Sequence, residues 1–109
     1  MKRYCFTLDL IDDKTLIEAY KEHHRSVWPE IKESITSAGV KELEIYLFNT
    51  RLFMIMGVDD SFSFEAKAQS DSENEKVQEW EMLMWNYQKA LPGAKPGEKW
   101  MLMENIFKL

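Results

Sequence analysis

Cysteine, histidine, proline and glycine are all scarce in this 109-residue chain, at one, two, three and four residues respectively. Each shortage removes a class of chemistry. A lone Cys5 can neither close an intramolecular disulfide nor supply a Cys-x-x-Cys pair. Met1 to Phe6 carries no secretory leader pattern, so a reducing, cytoplasmic setting is expected. His23 and His24 fall one short of a three-histidine zinc site. Neither Gly-x-Gly-x-x-Gly nor a phosphate-loop Lys-Ser/Thr occurs, which leaves a nucleotide cofactor without a cradle. Positive charge is in deficit, with 14 Lys and Arg against 19 Asp and Glu and a net charge of −5. Phosphate recognition needs the opposite balance, which argues against a nucleic-acid partner. No apolar run approaches the ~20 residues of a membrane span. The expectation is one small acidic domain over residues 1–109, with no metal, cofactor, nucleic acid or membrane to bind.

Large apolar side chains are abundant: 45% of residues are hydrophobic and 13% aromatic, including four Trp, and seven Met are present. Rings that fill a small core account for most of them, although the flat face of Trp also suits the C–H face of a sugar. Their spacing sets out the elements. Lys2–Leu10 alternates, with Tyr4, Phe6, Leu8 and Leu10 on one side, and reads as a strand. Asp12 and Asp13 offer an N-cap to a helix whose apolar stripe starts at Leu16. Pro29 bends or restarts that helix, with Ser26 as the expected cap of the second piece and Gly39 as its terminator. Val40–Phe48 and Leu52–Val58 form a hairpin across Asn49-Thr50, with Leu43, Ile45 and Leu47 on the face opposite to Tyr46 and Phe48.

A short helix over Ser61–Gln69, opened by Asp59, Asp60 or Ser61, leads to a polar bend at Ser70–Glu75. Helical period returns over Lys76–Leu91. Pro92–Lys99 is a loop, and Trp100–Leu109 is a final strand. The order β-α-β-β-α-β is that of the α+β, ferredoxin-like fold, a four-stranded mixed sheet with helices on one face. The other face is apolar on at least two strands. Covering ~600 Å² of it is worth about 15 kcal/mol gross, before the costs of association. A homodimer closed sheet to sheet, a dimeric α/β barrel, is therefore expected.

With metals and nucleotides set aside, an acid–base site remains. His24 lies four residues after Tyr20 and four before Trp28, which aligns three rings on one helix side. His23 points about 100° away. A histidine on an apolar stripe is commonly a hydrogen-bonded core residue, and an imidazole near its natural pKa is also a proton carrier at pH 7. Periodicity alone leaves both readings open. Trp80 and Trp85 read first as core, and Glu81 as a solvated charge. Glu104 lies between Met103 and Ile106 and is either an outward strand carboxylate or a pocket-edge group.

The segment Tyr20-Lys-Glu-His-His24-Arg-Ser-Val-Trp28-Pro-Glu30 resembles the Tyr-x-x-x-His-x-x-x-Trp-Pro-Glu signature of the L-rhamnose mutarotase family. Gly39, Ile45-Tyr46-Leu47, Leu52-Phe53, Trp80 and Glu104 to Phe107 follow in the family's order, so the resemblance spans the chain. It implies a homodimeric enzyme that interconverts the α and β anomers of a 6-deoxy hexose without metal or cofactor. It also implies that His24 is the proton donor and that Tyr20 and Trp80 touch the sugar. The expected substrate-binding set is Tyr20, Trp28, Tyr46, Trp80 and Glu104, with His24 delivering a proton to the ring oxygen and Tyr20 or Glu104 handling the anomeric proton. Leu43 stands where the family commonly has a second Tyr, Glu81 where it has a second Trp, and Phe48 where it has an Asp. These departures leave the sugar open among L-rhamnose, L-fucose and other deoxy sugars or pentoses. The same architecture also carries cofactorless monooxygenases and heme-binding proteins, and a sugar-binding module without turnover would keep the same scaffold.

Overall fold

Alternation decides the structure of Lys2–Leu10. In the computed structural model, which describes residues 1–109, β1 (Lys2–Leu10) turns Phe6, Leu8 and Leu10 inward, with Leu8 wholly buried. β1 is the centre of the sheet. β3 (Arg51–Val58) pairs with it along its whole length, from Lys2 opposite Val58 to Asp9 opposite Arg51. β2 (Val40–Phe48) pairs with the far side of β3 as the outer strand. Asn49 takes the left-handed backbone (φ 58°) that the tight turn between β2 and β3 requires. A bulge between Val40 and Glu42 shifts the phase of β2, so Val40 faces the helices along with Leu43 and Ile45.

The helices lie on one face of this sheet, as expected, but every strand pairing is antiparallel, not mixed. Asp13 caps α1 (Lys14–Arg25) by accepting the Leu16 N–H at 3.0 Å. Pro29 opens α2 (Pro29–Ser37) as its first residue, where a missing N–H costs nothing. Ser26 does not cap α2. It closes α1 instead, donating its N–H to His23, and Trp28 stands at the start of α2 without a side-chain cap.

Ser63, not Asp59 to Ser61, caps α3 (Phe64–Ser72), which reaches into the stretch expected to bend and leaves the break between the helices at Glu73 and Asn74. Asn74 caps α4 (Glu75–Trp85) through bonds from Lys76 and Val77. That helix stops well short of Leu91 because the sheet claims the following residues. Ile11 N–H bonds Tyr87 C=O at 2.8 Å, and Gln88 pairs with Leu10.

The fourth strand position is shared by two short pieces, β4 (Gln88–Lys89) and β5 (Met101–Leu102), both antiparallel to β1. The chain between them leaves the sheet and returns. The expected strand over Trp100–Leu109 therefore shrinks to β5, followed by one last bond from Met103 N–H to Cys5 C=O at 2.7 Å. Beyond it Ile106 and Phe107 are exposed. β-branched and aromatic residues make a strand only where a neighbour is there to pair.

Leu8, Leu10 and Leu52 form the floor of the core, on which Tyr20, Ile31, Val77, Trp80 and Met84 pack from α1, α2 and α4. The opposite face of the sheet has no helix over it and exposes Tyr46 and Phe48. No helix is long and apolar enough to cross a membrane.

Gly39, between α2 and β2, has φ +99°, and a Cβ there would stand 2.5 Å from Asp59 Oδ1 and 2.7 Å from Ser61 Oγ. Gly39→Ala is expected to lower stability by about 1–3 kcal/mol. Urea unfolding will show this as a lower midpoint with an unchanged slope.

Candidate active site

Between the helix layer and the sheet lies a cavity of about 250 Å³. Its sheet side is apolar, with Leu43 and Ile45 from β2 and Met54 and Met56 from β3, and Val27, Ile31, Trp80 and Met84 line the helix side. Tyr20, His24 and Gln88 supply the polar end, and Ser34 with the ion pairs Lys67–Asp71 and Glu81–Lys99 lies elsewhere on the wall.

The one-turn spacing of Tyr20 and His24 brings their rings to 4.4 Å between centroids. His24 Nδ1 lies 2.9 Å from the backbone carbonyl of Tyr20. A carbonyl only accepts, so Nδ1 carries the proton and a neutral ring keeps its lone pair at Nε2. Burial pushes the His24 pKa below 6.5. The bond to the Tyr20 carbonyl opposes that shift, and the neighbouring His23 adds to it. The ring is accordingly mostly neutral at pH 7. Burial likewise pushes the Tyr20 phenol up to about 12, against the hydrogen bond from Gln88 and with a small contribution from the Glu81 charge. Tyr20 thus holds its proton, and that proton has no acceptor in the protein.

Gln88 was not apparent from the sequence, where it fell inside an expected helix. Its pairing with Leu10 puts it on the helix side of the sheet at 5% exposure. Nε2 donates to the Tyr20 hydroxyl at 3.3 Å, and Oε1 has no partner at all. A buried carbonyl left in this state costs about 1–3 kcal/mol.

Lys99 was missed as well. Its ammonium donates to the Glu81 carboxylate at 2.7 Å and to the Glu81 backbone carbonyl at 2.9 Å, and lies 4.8 Å from the centre of the Trp85 ring. Glu81 is thus half of an ion pair on the cavity wall, not a free surface charge. No local pattern could show this, because the partners lie 18 residues apart.

Of the expected set, Tyr20, His24 and Trp80 meet at the cavity, with Trp80 edge-on to His24 at 5.6 Å. Three others do not line it. Trp28 stands behind Trp80, ring edge to ring at 5.1 Å, and so positions that wall without forming it. Tyr46 points from the opposite face of the sheet and bonds Glu44, because alternation along β2 sends Ile45 inward and Tyr46 out. Glu104 is exposed beyond β5. His23 turns to the Tyr87 hydroxyl at 3.1 Å. No three His, Cys, Asp or Glu side chains converge anywhere in the molecule.

The architecture is one that solved structures share. A tetracenomycin F2 cyclase from Streptomyces glaucescens superposes with a TM-score of 0.61 at 18% identity, over 100% of this chain and 97% of that one, which speaks to the fold alone. The L-rhamnose mutarotase of Formosa agariphila superposes with a TM-score of 0.73 at 26% identity, over 100% and 99% of the two chains. In sequence, this chain is 48% identical to an L-fucose mutarotase of Xanthomonas campestris, over 100% of this chain and 89% of that one. The Formosa L-rhamnose mutarotase is 32% identical in sequence alignment over 88% of each chain. An antiparallel α+β domain with a histidine–tyrosine pair in an apolar cavity thus falls among isomerases that act as mutarotases. The L-rhamnose mutarotase family model matches residues 3–109, and the chain belongs to that family.

The geometry around His24 can be measured directly. In ¹⁵N NMR the His24 ring is expected to show the neutral Nδ1–H tautomer and a titration midpoint below 6.5. A midpoint at or above 6.5 would contradict the buried, Nδ1-donating ring.

Proposed function

We propose that this mutarotase interconverts the α and β anomers of L-fucose. The observation that carries the mechanism is the pairing of His24, with Nε2 unshared, and Tyr20, with its proton unshared, at the polar end of an apolar cavity. The near half-identity to an L-fucose mutarotase over the whole chain favours L-fucose over L-rhamnose, whose mutarotase from Formosa is one-third identical.

Opening a pyranose removes the proton of the anomeric hydroxyl and protonates the ring oxygen as the C1–O5 bond breaks. His24 Nε2 takes the first proton and the Tyr20 hydroxyl gives the second. The open aldehyde turns about C1–C2. On closure O5 attacks the other face of C1 and returns its proton to Tyr20, while the His24 imidazolium protonates the new hydroxyl. These roles invert the expectation that His24 first protonates the ring oxygen. A ring held neutral with Nδ1–H engaged begins as a base. A positioned acid–base group contributes roughly 10²- to 10⁴-fold, which suits a reaction that water already performs slowly. Trp80 offers its ring to the sugar's C–H face.

In saturation-transfer NMR the wild-type protein is expected to accelerate exchange between L-fucose anomers, and His24→Ala to lose roughly 10²-fold or more of that acceleration. Acceleration should also fall on acidification, with a midpoint below 6.5, because protonation removes the base at His24. A His24→Ala protein as fast as wild type would remove His24 from the mechanism, and sugar binding without acceleration would mark a binding module.

The substrate's methyl group suits the wall formed by Leu43, Ile45, Met54 and Met56, where a hydroxymethyl group finds no partner. Burying that unpaired hydroxyl costs about 1–3 kcal/mol, or roughly 5- to 150-fold. L-Fucose is therefore expected to exchange faster than L-galactose by such a factor in the same assay. Equal rates would remove the methyl-selective wall.

The uncovered sheet face, with Tyr46 and Phe48 exposed, and the apolar tail residues Ile106 and Phe107 support a homodimer, and the unpaired Cys5 supports a cytoplasmic location. Sedimentation is expected to give twice the 13.0 kDa chain mass. Phe48→Glu should shift the protein toward the monomer.

A further inference from the structure

We propose that Gln88 is a substrate-binding residue, whose side-chain carbonyl accepts a hydrogen bond from a ring hydroxyl of the sugar while its amide holds the Tyr20 hydroxyl in place. The proposal rests on the mutarotase reading above and adds a contact to it. Gln88 is among the residues that line the cavity and is 5% exposed. Nε2 is engaged with the Tyr20 hydroxyl at 3.3 Å, whereas Oε1 is buried without any donor. It is the one side-chain polar atom of the molecule in that condition. Buried polar atoms are paired in the great majority of cases, and an orphan on a residue that lines a cavity calls for a donor from what the cavity binds.

The available contact surface narrows the donor. Met84, four residues before Gln88, is apolar, and the Tyr20 hydroxyl is the one side-chain partner that Gln88 has. A sugar ring brings hydroxyls on nearly every carbon, and a methyl-bearing 6-deoxy sugar still has them on the ring. The backbone of Gln88 is held by its pairing with Leu10, so the amide is presented from a fixed strand and not from a mobile loop. One side chain thus joins recognition to catalysis, because the hydroxyl it receives and the phenol it orients belong to the same reacting complex.

The test compares wild type with Gln88→Met and Gln88→Asn, on L-fucose and on analogues that lack one ring hydroxyl at a time. Both the dissociation constant and the anomer-exchange rate are read by NMR. Gln88→Met is expected to weaken L-fucose binding and lower kcat/KM by roughly 5- to 50-fold. One deoxy analogue should bind wild type and Gln88→Met equally, because it lacks the hydroxyl that Gln88 accepts. Gln88→Asn, with the same amide on a shorter arm, should retain the L-fucose preference only in part.

If Gln88→Met weakens every analogue by the same factor, Gln88 acts solely through Tyr20 and the proposed contact is overturned. Unchanged L-fucose binding in Gln88→Met overturns it as well. Wild-type protein that binds L-fucose without accelerating exchange would refute turnover, and the analogue series would still decide Gln88 through binding alone. Wild-type protein that binds no sugar would overturn both.

Discussion

The antiparallel pairing of Leu10 with Gln88 is the joint on which the rest of the molecule turns. It ends α4, because residues held at a sheet edge cannot continue a helix. It seats the first residue of the fourth strand position beneath Tyr20, and it sends the chain outward toward the loop that returns with Lys99 and Trp100. Leu10 and Leu8 are themselves almost entirely removed from water, so the joint is buried and its register is set by the same alternation that packs β1. Moving it by one residue would turn Gln88 away from the cavity.

That dependence explains what the sequence made legible and what it did not. β1 and β2 appear with the expected boundaries because period-2 alternation is local and strong over Lys2–Leu10 and Val40–Phe48. The same alternation already separated Tyr46 from Ile45, and the structure gives that separation its meaning: one lines the cavity and the other stands on the opposite face. Tyr20 and His24 were legible because a helix turn is also local. The family resemblance then singled out this pair among several aromatic stripes.

The contacts that escaped are those made by tertiary structure. Helical periodicity continued past Asn86, so nothing marked Gln88 as a strand residue. Glu81 and Lys99 carry no signal of each other across the intervening chain. The tail beyond Met103 is rich in strand formers but lacks a neighbour, and composition alone does not supply one. The β2 bulge at Val40/Glu42 is of the same kind: a one-residue phase shift that alternation cannot announce but that brings Val40 to the cavity wall.

The detour between β4 and β5 has a further consequence for how this protein can change. Both flanking strand pieces keep their places against β1, so the excursion is spliced into the fold without being needed to close it. Lengthening such a segment is thermodynamically mild, about 0.6 kcal/mol for each doubling. Its returning end nevertheless brings Lys99 and Trp100 to the cavity wall. The detour is therefore a place where new substrate preferences can be tried at little risk to folding, while the proton-transfer pair on α1 stays where the core holds it.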